Sequence, residues 1–395
     1  MTEAPGNPSN LRDPRPLVVG AVAAQVIGGL TTQMLPFMVG GLMDGLKLSE
    51  RDAGLVTSAE LFILAITAIA IAPVLLRFSY RRVALVAVAL ALLAQGASIF
   101  SASLASLVLL RSLAGVGEGA LYALSLSVVA ARSRNPDKIY GYFQIAWAVG
   151  SVVLFAAGGQ LATAFAYRGV FALIAGVTLA LAPLLLFIPD TRTGSGDKAA
   201  VDETRTSPAL GVMTLAATGL YLVASSALYA FVAPLGERAG LDTGAVGYAL
   251  TVSTLVGLAG AGAATALNVR WGRAIPISGF CVAFSLFALA LCLSHDSIVY
   301  VVALMASAAI YYFSLPYLFG LAATLDRSGR WAAAAGSAFL LGYAAGPLAG
   351  GAVIARSGYV GLAVACVVLT AVAWALALLV CQRVAGATVR PPLSA

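Results

Sequence analysis

Residues 104–131 read LASLVLLRSLAGVGEGALYALSLSVVAA, an apolar stretch broken by only two ionisable residues, Arg111 and Glu118. About 20 apolar residues suffice to cross a bilayer as a helix. In lipid every backbone polar group must be satisfied internally, so a segment like this becomes a helix. Each embedded charge costs at least about 2.5–3.5 kcal/mol at the bilayer centre, so both must face the bundle interior or a watery cavity. Arg111 and Glu118 stand seven positions apart. At 100° per residue they share one face, roughly 10 Å apart along the axis. Helical side chains lean toward the N-terminus, so Glu118 leans toward Arg111 and Arg111 leans away. Direct contact is not expected; water, substrate or a third group should bridge them.

The rest of the chain repeats this pattern. Of its residues 61% are apolar and 10% charged, with a mean hydropathy of +0.97. Soluble domains carry about 25% charged residues. A β-barrel would alternate in segments of about 10 residues, which these runs do not. Apolar windows give twelve candidate spans at 17–43, 53–76, 83–101, 104–131, 141–164, 168–189, 208–235, 245–268, 274–293, 298–325, 331–355 and 359–382. The weakest break is Ser101–Ser106, which holds no charge. Of the 23 Lys and Arg residues, only Lys47, Arg51, Arg168, Arg238 and Arg356 fall on one side of this map, and Arg111 lies inside it. All others fall on the opposite side, which the positive-inside rule assigns to the cytoplasm together with both termini. The expected organisation is an all-α membrane protein. It has a cytoplasmic N-terminus (1–16), a six-helix bundle (17–189), a cytoplasmic linker (190–207), a second six-helix bundle (208–383) and a cytoplasmic C-terminus (384–395). The linker is rich in Gly, Ser and Thr with mixed charges, as a solvated connection is.

The two halves are related. A shift of about 193 residues places Gly54 on Gly247, Arg77 on Arg270, Arg134 on Arg327, Gln25 on Thr218 and Thr32 on Ser225. Duplicated halves place binding near the midplane between them. The same shift takes Arg111 to Leu304, Glu118 to Tyr311 and Glu60 to Ser253, so the second half has lost the charges. Glu60 stands seven residues into the second span, as Arg111 does into the fourth. Both spans start on the same side, so Glu60 should lie near Arg111 and neutralise it. Glu118 is then the less compensated carboxyl, expected to carry a proton near neutral pH. The proton-coupling candidates are therefore Glu118, Arg111 and Glu60.

Substrate candidates are Arg111 with Gln25, Thr32, Tyr122, Gln144 and Trp147 in the first half. The second half offers Tyr221, Ser225, Tyr229, Ser307, Tyr311 and Ser314. There stacking and hydrogen bonding would grip the solute. Pro36 and Pro316 should kink or loosen their spans, and Pro347, after Gly346, should bend the eleventh. Arg77, Arg81, Arg270 and Arg273 are candidate gate residues at the cytoplasmic end.

Other chemistries find little support. The one histidine, His295, excludes a multi-histidine metal site, and the four cysteines, in apolar segments without CxxC spacing, read as core residues. The basic residues form no stripe, so no nucleic-acid partner is expected. No phosphate-binding loop is present for an ATP-driven pump. Neither cofactor nor metal is expected; the coupling ion is the proton.

At this point the chain resembles the major facilitator superfamily over its whole length. The fourth span carries an Arg followed four residues later by Gly, in LVLLRSLAGVGEGA, Leu107 to Ala120. The eleventh reads GYAAGPLAGG, Gly342 to Gly351, similar to the GxxxGPxxGG pattern best known from the fifth helix of exporters; the fifth span here lacks it. The family's loop after its second helix, G-x-L-x-D-R-x-G-R-R, is represented by APVLLRFSYRR and TALNVRWGR, with Leu76 and Val269 at the acidic position. The usual charge pairing at that inner gate is therefore not expected. Arg-x-x-x-Gly-x-Gly-Glu resembles organic anion/proton symporters and spinster-like transporters, in which the positions of Arg111 and Glu118 serve substrate and proton coupling. Those relatives also carry a first-helix Asp, whereas this first span has no carboxylate before Asp44.

The resulting expectation is a secondary transporter moving a small organic solute by proton-coupled alternating access. It would act as a monomer in a bilayer, the bacterial inner membrane. Arg111 points to an anionic group on the solute or to a purely electrostatic coupling role; the aromatics point to an amphipathic or aromatic remainder. The alternatives are an exporter of drugs or lipid-like molecules and, in another class, a non-transporting membrane sensor. A membrane-embedded enzyme would need a nucleophile–base set, which is not visible.

Overall fold

The computed structural model describes residues 14–133, 136–190, 208–267, 270–325 and 330–389. The first half comprises α1 (Arg15–Leu46), α2 (Glu50–Ala70) with short α3 (Ala72–Arg77), α4 (Tyr80–Phe100), α5 (Leu104–Arg132) and α6 (Pro136–Leu181). The second comprises α7 (Pro208–Ala230) with short α8 (Val232–Arg238), α9 (Thr243–Leu267), α10 (Ala274–Leu293), α11 (Ser297–Ala323) and α12 (Arg330–Val389). Ten helices are long and apolar enough to cross a membrane among the described residues. Two of these, α6 and α12, run about twice a bilayer's thickness. Each is broken once, at Ala166 (φ 50, ψ −138) and at Gly358 (φ 63, ψ −167). The breaks fall at nearly equivalent places in the two halves, and with them the chain makes twelve crossings.

Side-chain caps set the tight turns. Ser49, Ser79 and Ser103 accept from the backbone N–H three residues on, and Asp296 accepts from Ile298 and Val299. Such caps satisfy backbone donors at a helix start that nothing else reaches. The Ser101–Ser106 break is thus a true helix boundary, although no charge marks it. The helices α1 and α11 continue through Pro36 and Pro316. One expectation is corrected: span seven, expected as one piece, is interrupted at Phe231, three residues before Pro234. The loop arginines Arg134 and Arg327, most of the linker, and the N-terminal residues 1–13 lie outside the described residues.

The two bundles meet along two seams, α2 against α12 and α6 against α9, and glycine makes both close. A Cβ on Gly54 would overlap the carbonyl oxygen of Pro347, and one on Gly351 that of Glu50. A Cβ on Gly159 would lie 2.8 Å from the Thr243 carbonyl, and one on Gly247 2.5 Å from that of Phe155. Gly54 and Gly247 are one of the repeat-related pairs, so one glycine position serves both seams. Among the described residues these seam contacts lie toward the end of the molecule remote from the termini. On α6, Gly159 and Val152 touch α9, the latter by accepting from Thr251 at 3.4 Å. Ile145 continues that face one heptad on and is 61% exposed. On α9 the face through Gly244 and Thr251 leads to Leu258, 46% exposed, and on α12 Leu348 leads to Leu341, 38% exposed. The halves are therefore sealed at one end and parted at the end bearing the termini. Gly54→Val or Gly247→Val should hold the sealed end apart. Spin labels flanking the seam should report a longer distance, and an unchanged distribution would mean the seam yields to a side chain.

Candidate functional site

The charges of the fourth span lie inside the first bundle. Arg111, Glu60 and Glu118 are 0% exposed. Arg111 donates from Nε to Glu60 Oε2 at 3.0 Å, and its Nη2 also pairs with Glu60 Oε1. The same Nη2 stands 3.9 Å from Glu118 Oε1. The guanidinium lies over the Phe171 ring, its Cζ 4.8 Å from the centroid. The expectation that Arg111 and Glu118 do not meet directly is thereby corrected, since the long Arg111 side chain closes the axial gap. The bridging hydroxyl joins a different pair, the two acids: Thr31 Oγ1 lies 3.1 Å from Glu60 Oε1 and 3.0 Å from Glu118 Oε1. Gln95 Nε2 donates to Glu118 Oε1 at 2.8 Å. Glu118 Oε2 and Gln95 Oε1 are buried without a donor.

The glycines of AGVGEG explain how four helices converge here. Cβ atoms on Gly115 and Gly119 would overlap the carbonyls of Glu60 and Leu64 on α2, and one on Gly117 that of Ala87 on α4. Gly28 does the same for α1, where a Cβ would lie 2.8 Å from the Glu118 carbonyl. Small residues let backbones approach this closely in a membrane bundle. The run sets helix spacing around the Glu118 side chain.

A second group of residues lies between the bundles. Trp147 lies against Gly29 of α1, where a Cβ would overlap the indole. Tyr311 and Tyr312 on α11 meet edge to face at 5.4 Å, and Phe339 and Tyr343 on α12 stack at 6.1 Å with 14° between planes. Gln25 accepts from Ser125 and lies beside Tyr122, within the first half. Gln144 is exposed on α6.

Other candidates stand apart. Tyr221 packs edge-on against Phe280 and Phe284, at 5.2 and 5.4 Å, in the second half's own core. Ser307 and Ser314 donate to carbonyls of their own helix, and Ser225 is buried. Arg111 is enclosed by its acids and is not presented to the space between the halves. Sequence reasoning missed Thr31, Gln95, Phe171, Phe339 and Tyr343. Gln95 alone carried a signal, as an amide in an otherwise apolar span.

Pro36 acts through what it lacks. Proline has no N–H, so the carbonyl four residues earlier, on Thr32, loses its helical donor. The Tyr343 hydroxyl of the other half donates to that oxygen at 3.2 Å. Beside it the Tyr229 hydroxyl donates to the Gln33 carbonyl at 2.8 Å. At the α2–α12 seam the Leu348 N–H, next to Pro347, donates to Ser58 Oγ at 2.9 Å. These bonds cross between the halves on the sealed side of the aromatic group. Tyr343→Phe keeps the ring and leaves a buried carbonyl without a donor, which costs about 1–3 kcal/mol. It should move the population toward the opposite opening, read as a longer label distance across the seam.

At the other end the second-to-third-span loop is tied to the end of the sixth span. Arg81 Nε donates to the Ile188 carbonyl at 2.8 Å. The Asp190 carboxyl is held below its ordinary range by the Ser79 hydroxyl, and by Arg81 and Arg82. The end of the sixth span thus brings a carboxylate into the field of Arg81 and Arg82 within one half, with its closest hold on the Ser79 hydroxyl. Arg77 and Arg270 are exposed, Arg273 is half-buried beside Gly320, and Gly346 is packed against Ser226.

Comparisons with known proteins agree with this architecture. No curated protein sequence matches the chain. Among solved structures, a bacterial homologue of the human lysosomal transporter spinster, inward-facing and unoccupied, is similar with a TM-score of 0.74 at 15% identity, over 95% of this chain and 98% of that one. A D-xylose-proton symporter is similar with a TM-score of 0.71 at 15% identity, over 91% and 97%. The nucleoside transporter NupG is similar with a TM-score of 0.70 at 11% identity, over 93% and 98%. These likenesses concern the fold. The sequence profile of the Major Facilitator Superfamily matches residues 21–325. With twelve crossings in two bundles around a shared opening, this multi-pass membrane protein belongs to the Major Facilitator Superfamily.

Proposed function

We propose that the protein is a secondary active transporter that moves a small organic solute by proton-coupled alternating access. The observation that carries this reading is the enclosed set of Glu60, Arg111 and Glu118 sharing one threonine hydroxyl. Two carboxylates and one guanidinium leave one negative charge in a site with no exposure, and a single proton makes the set neutral. A threonine hydroxyl has one hydrogen, so it can donate to only one of the two acids at a time. A proton on Glu118 supplies the donor that Glu118 Oε2 and Gln95 Oε1 lack. Glu118 lies one helical turn from Tyr122 on the same helix, and its α5 backbone is clasped by α1 at Gly28. A change in its charge acts on the helices that bear the cross-half bonds at Thr32 and Gln33. One structurally similar protein, the D-xylose-proton symporter, is named for this kind of coupling.

The Lys/Arg asymmetry orients both termini to the cytoplasm of a bacterial inner membrane, and the parted end then makes this the inward-facing state. The chain acts as a monomer, with solute, proton and bilayer as its partners. A second reading, export of drugs or lipid-like molecules, is favoured by the absence of ionised groups at membrane depth in the second half.

The test is reconstitution into liposomes with an imposed pH gradient and a panel of solutes. At least one solute should accumulate against its own gradient and collapse when the pH gradient is dissipated. Solutes that equilibrate at a rate indifferent to the gradient would leave a uniporter in place of this proposal.

A further inference from the structure

We infer that the solute bound between the two halves is a neutral, ring-bearing molecule held by ring faces, not an anion held by Arg111. The inference rests on reading the chain as a transporter, but not on proton coupling. Its ground is what the structure brings to the space between the bundles. Trp147, Tyr229, Tyr311, Tyr312, Phe339 and Tyr343 come from α6, α7, α11 and α12, and each is half-buried. The perpendicular Tyr311–Tyr312 pair and the parallel Phe339–Tyr343 pair give two walls at different angles. Two hydroxyls are already committed, Tyr343 to the Thr32 carbonyl and Tyr229 to the Gln33 carbonyl. Those residues offer a solute their faces more than their donors.

Charge narrows the class further. Among the described residues the carboxylates and guanidinium at this depth are Glu60, Arg111 and Glu118, all fully enclosed; Arg111 is paired with Glu60 through Nε and Nη2, and its Nη1, which has no partner, is buried with the rest. An anion between the halves would reach no cation among them. It would also face aromatic rings, whose faces carry the negative part of the quadrupole. A cation would be attracted to those faces, but it would meet neither acid, because Glu60 and Glu118 have no exposure and are tied to Thr31 inside the first bundle. A neutral ring system meets neither penalty. It stacks on either wall and leaves the cross-half hydrogen bonds intact.

The test compares three compounds on one frame: 2-naphthamide, 2-naphthoate and 2-naphthylmethylammonium. Binding to the purified full chain in detergent is measured by calorimetry at one pH. The amide should bind at least tenfold more tightly than either ion. Tyr311→Phe should keep that affinity, since it keeps the face, and Tyr311→Leu should lower it about tenfold with the melting temperature checked in parallel. Tightest binding of the naphthoate would reveal a free cation in the site. Tightest binding of the ammonium would reveal an acid within reach. Either result, equal binding of all three, or binding of none would overturn the inference. No gradient is present, so failed coupling in liposomes cannot mimic these outcomes, and a clear preference for the amide would survive the loss of the coupling proposal.

Discussion

Glu118→Gln is expected to abolish accumulation of solute driven by a pH gradient, with a fall of at least about a hundredfold, which corresponds to about 2.7 kcal/mol. Exchange of labelled for unlabelled solute at equal pH should persist. Glutamine keeps an oxygen in place to accept from Thr31 and Gln95, which lie 3.0 and 2.8 Å from Glu118 Oε1. Its amide N–H also meets the unsatisfied Gln95 Oε1 as a fixed donor. The variant therefore resembles the protonated site permanently and cannot return to the charged one. Counterflow and gradient-driven uptake, measured on the same liposomes, separate the two functions. Gradient-driven uptake at the wild-type level would remove Glu118 from the proton pathway.

Arg111→Met has the largest expected effect on stability. It leaves Glu60 and Glu118 close together, both without exposure, and deprives them of their cation. Breaking a buried ion pair by removing one partner costs about 3–5 kcal/mol. The purified variant should lose most of its half-life at a temperature the wild type withstands. The double variant Glu60→Gln/Arg111→Met removes the stranded charge together with its partner, and should recover much of that loss. Recovery is the informative result, because contacting residues are non-additive in this sense. A single variant as stable as the wild type would show that the site is hydrated and that its enclosure does not govern the charges.

Some of this arrangement was legible before any coordinates. Twelve crossings follow from run lengths, and the Lys/Arg asymmetry orders them. Equal depth in two spans that cross in the same direction placed Glu60 beside Arg111. The 193-residue shift paired Gly54 with Gly247, although their shared use as contact points appeared only once α2 met α12 and α6 met α9. Proline was expected to kink or loosen its span; at Pro36 the visible effect is a freed carbonyl on Thr32 that the other half's Tyr343 satisfies, whereas no proline sits at the break in span seven. That break came at Phe231.

What the chain's residues determined alone is local or one-dimensional: which segments prefer lipid, where they stop, how deep each charge sits. Transfer cost and axial rise depend on residue type and position, so they can be read from a string. Tertiary structure alone decided that Thr31 and not Thr32 joins the two acids, that Arg111 is fully buried, and that Asp190 comes to the Ser79 hydroxyl beside Arg81. Each depends on the rotation of helices about their axes and on partners such as Thr31 and Glu118, 87 positions apart. A rotation of one residue, 100°, exchanges Thr31 for Thr32, and only the packing of glycines against neighbouring carbonyls settles which of them faces the acids.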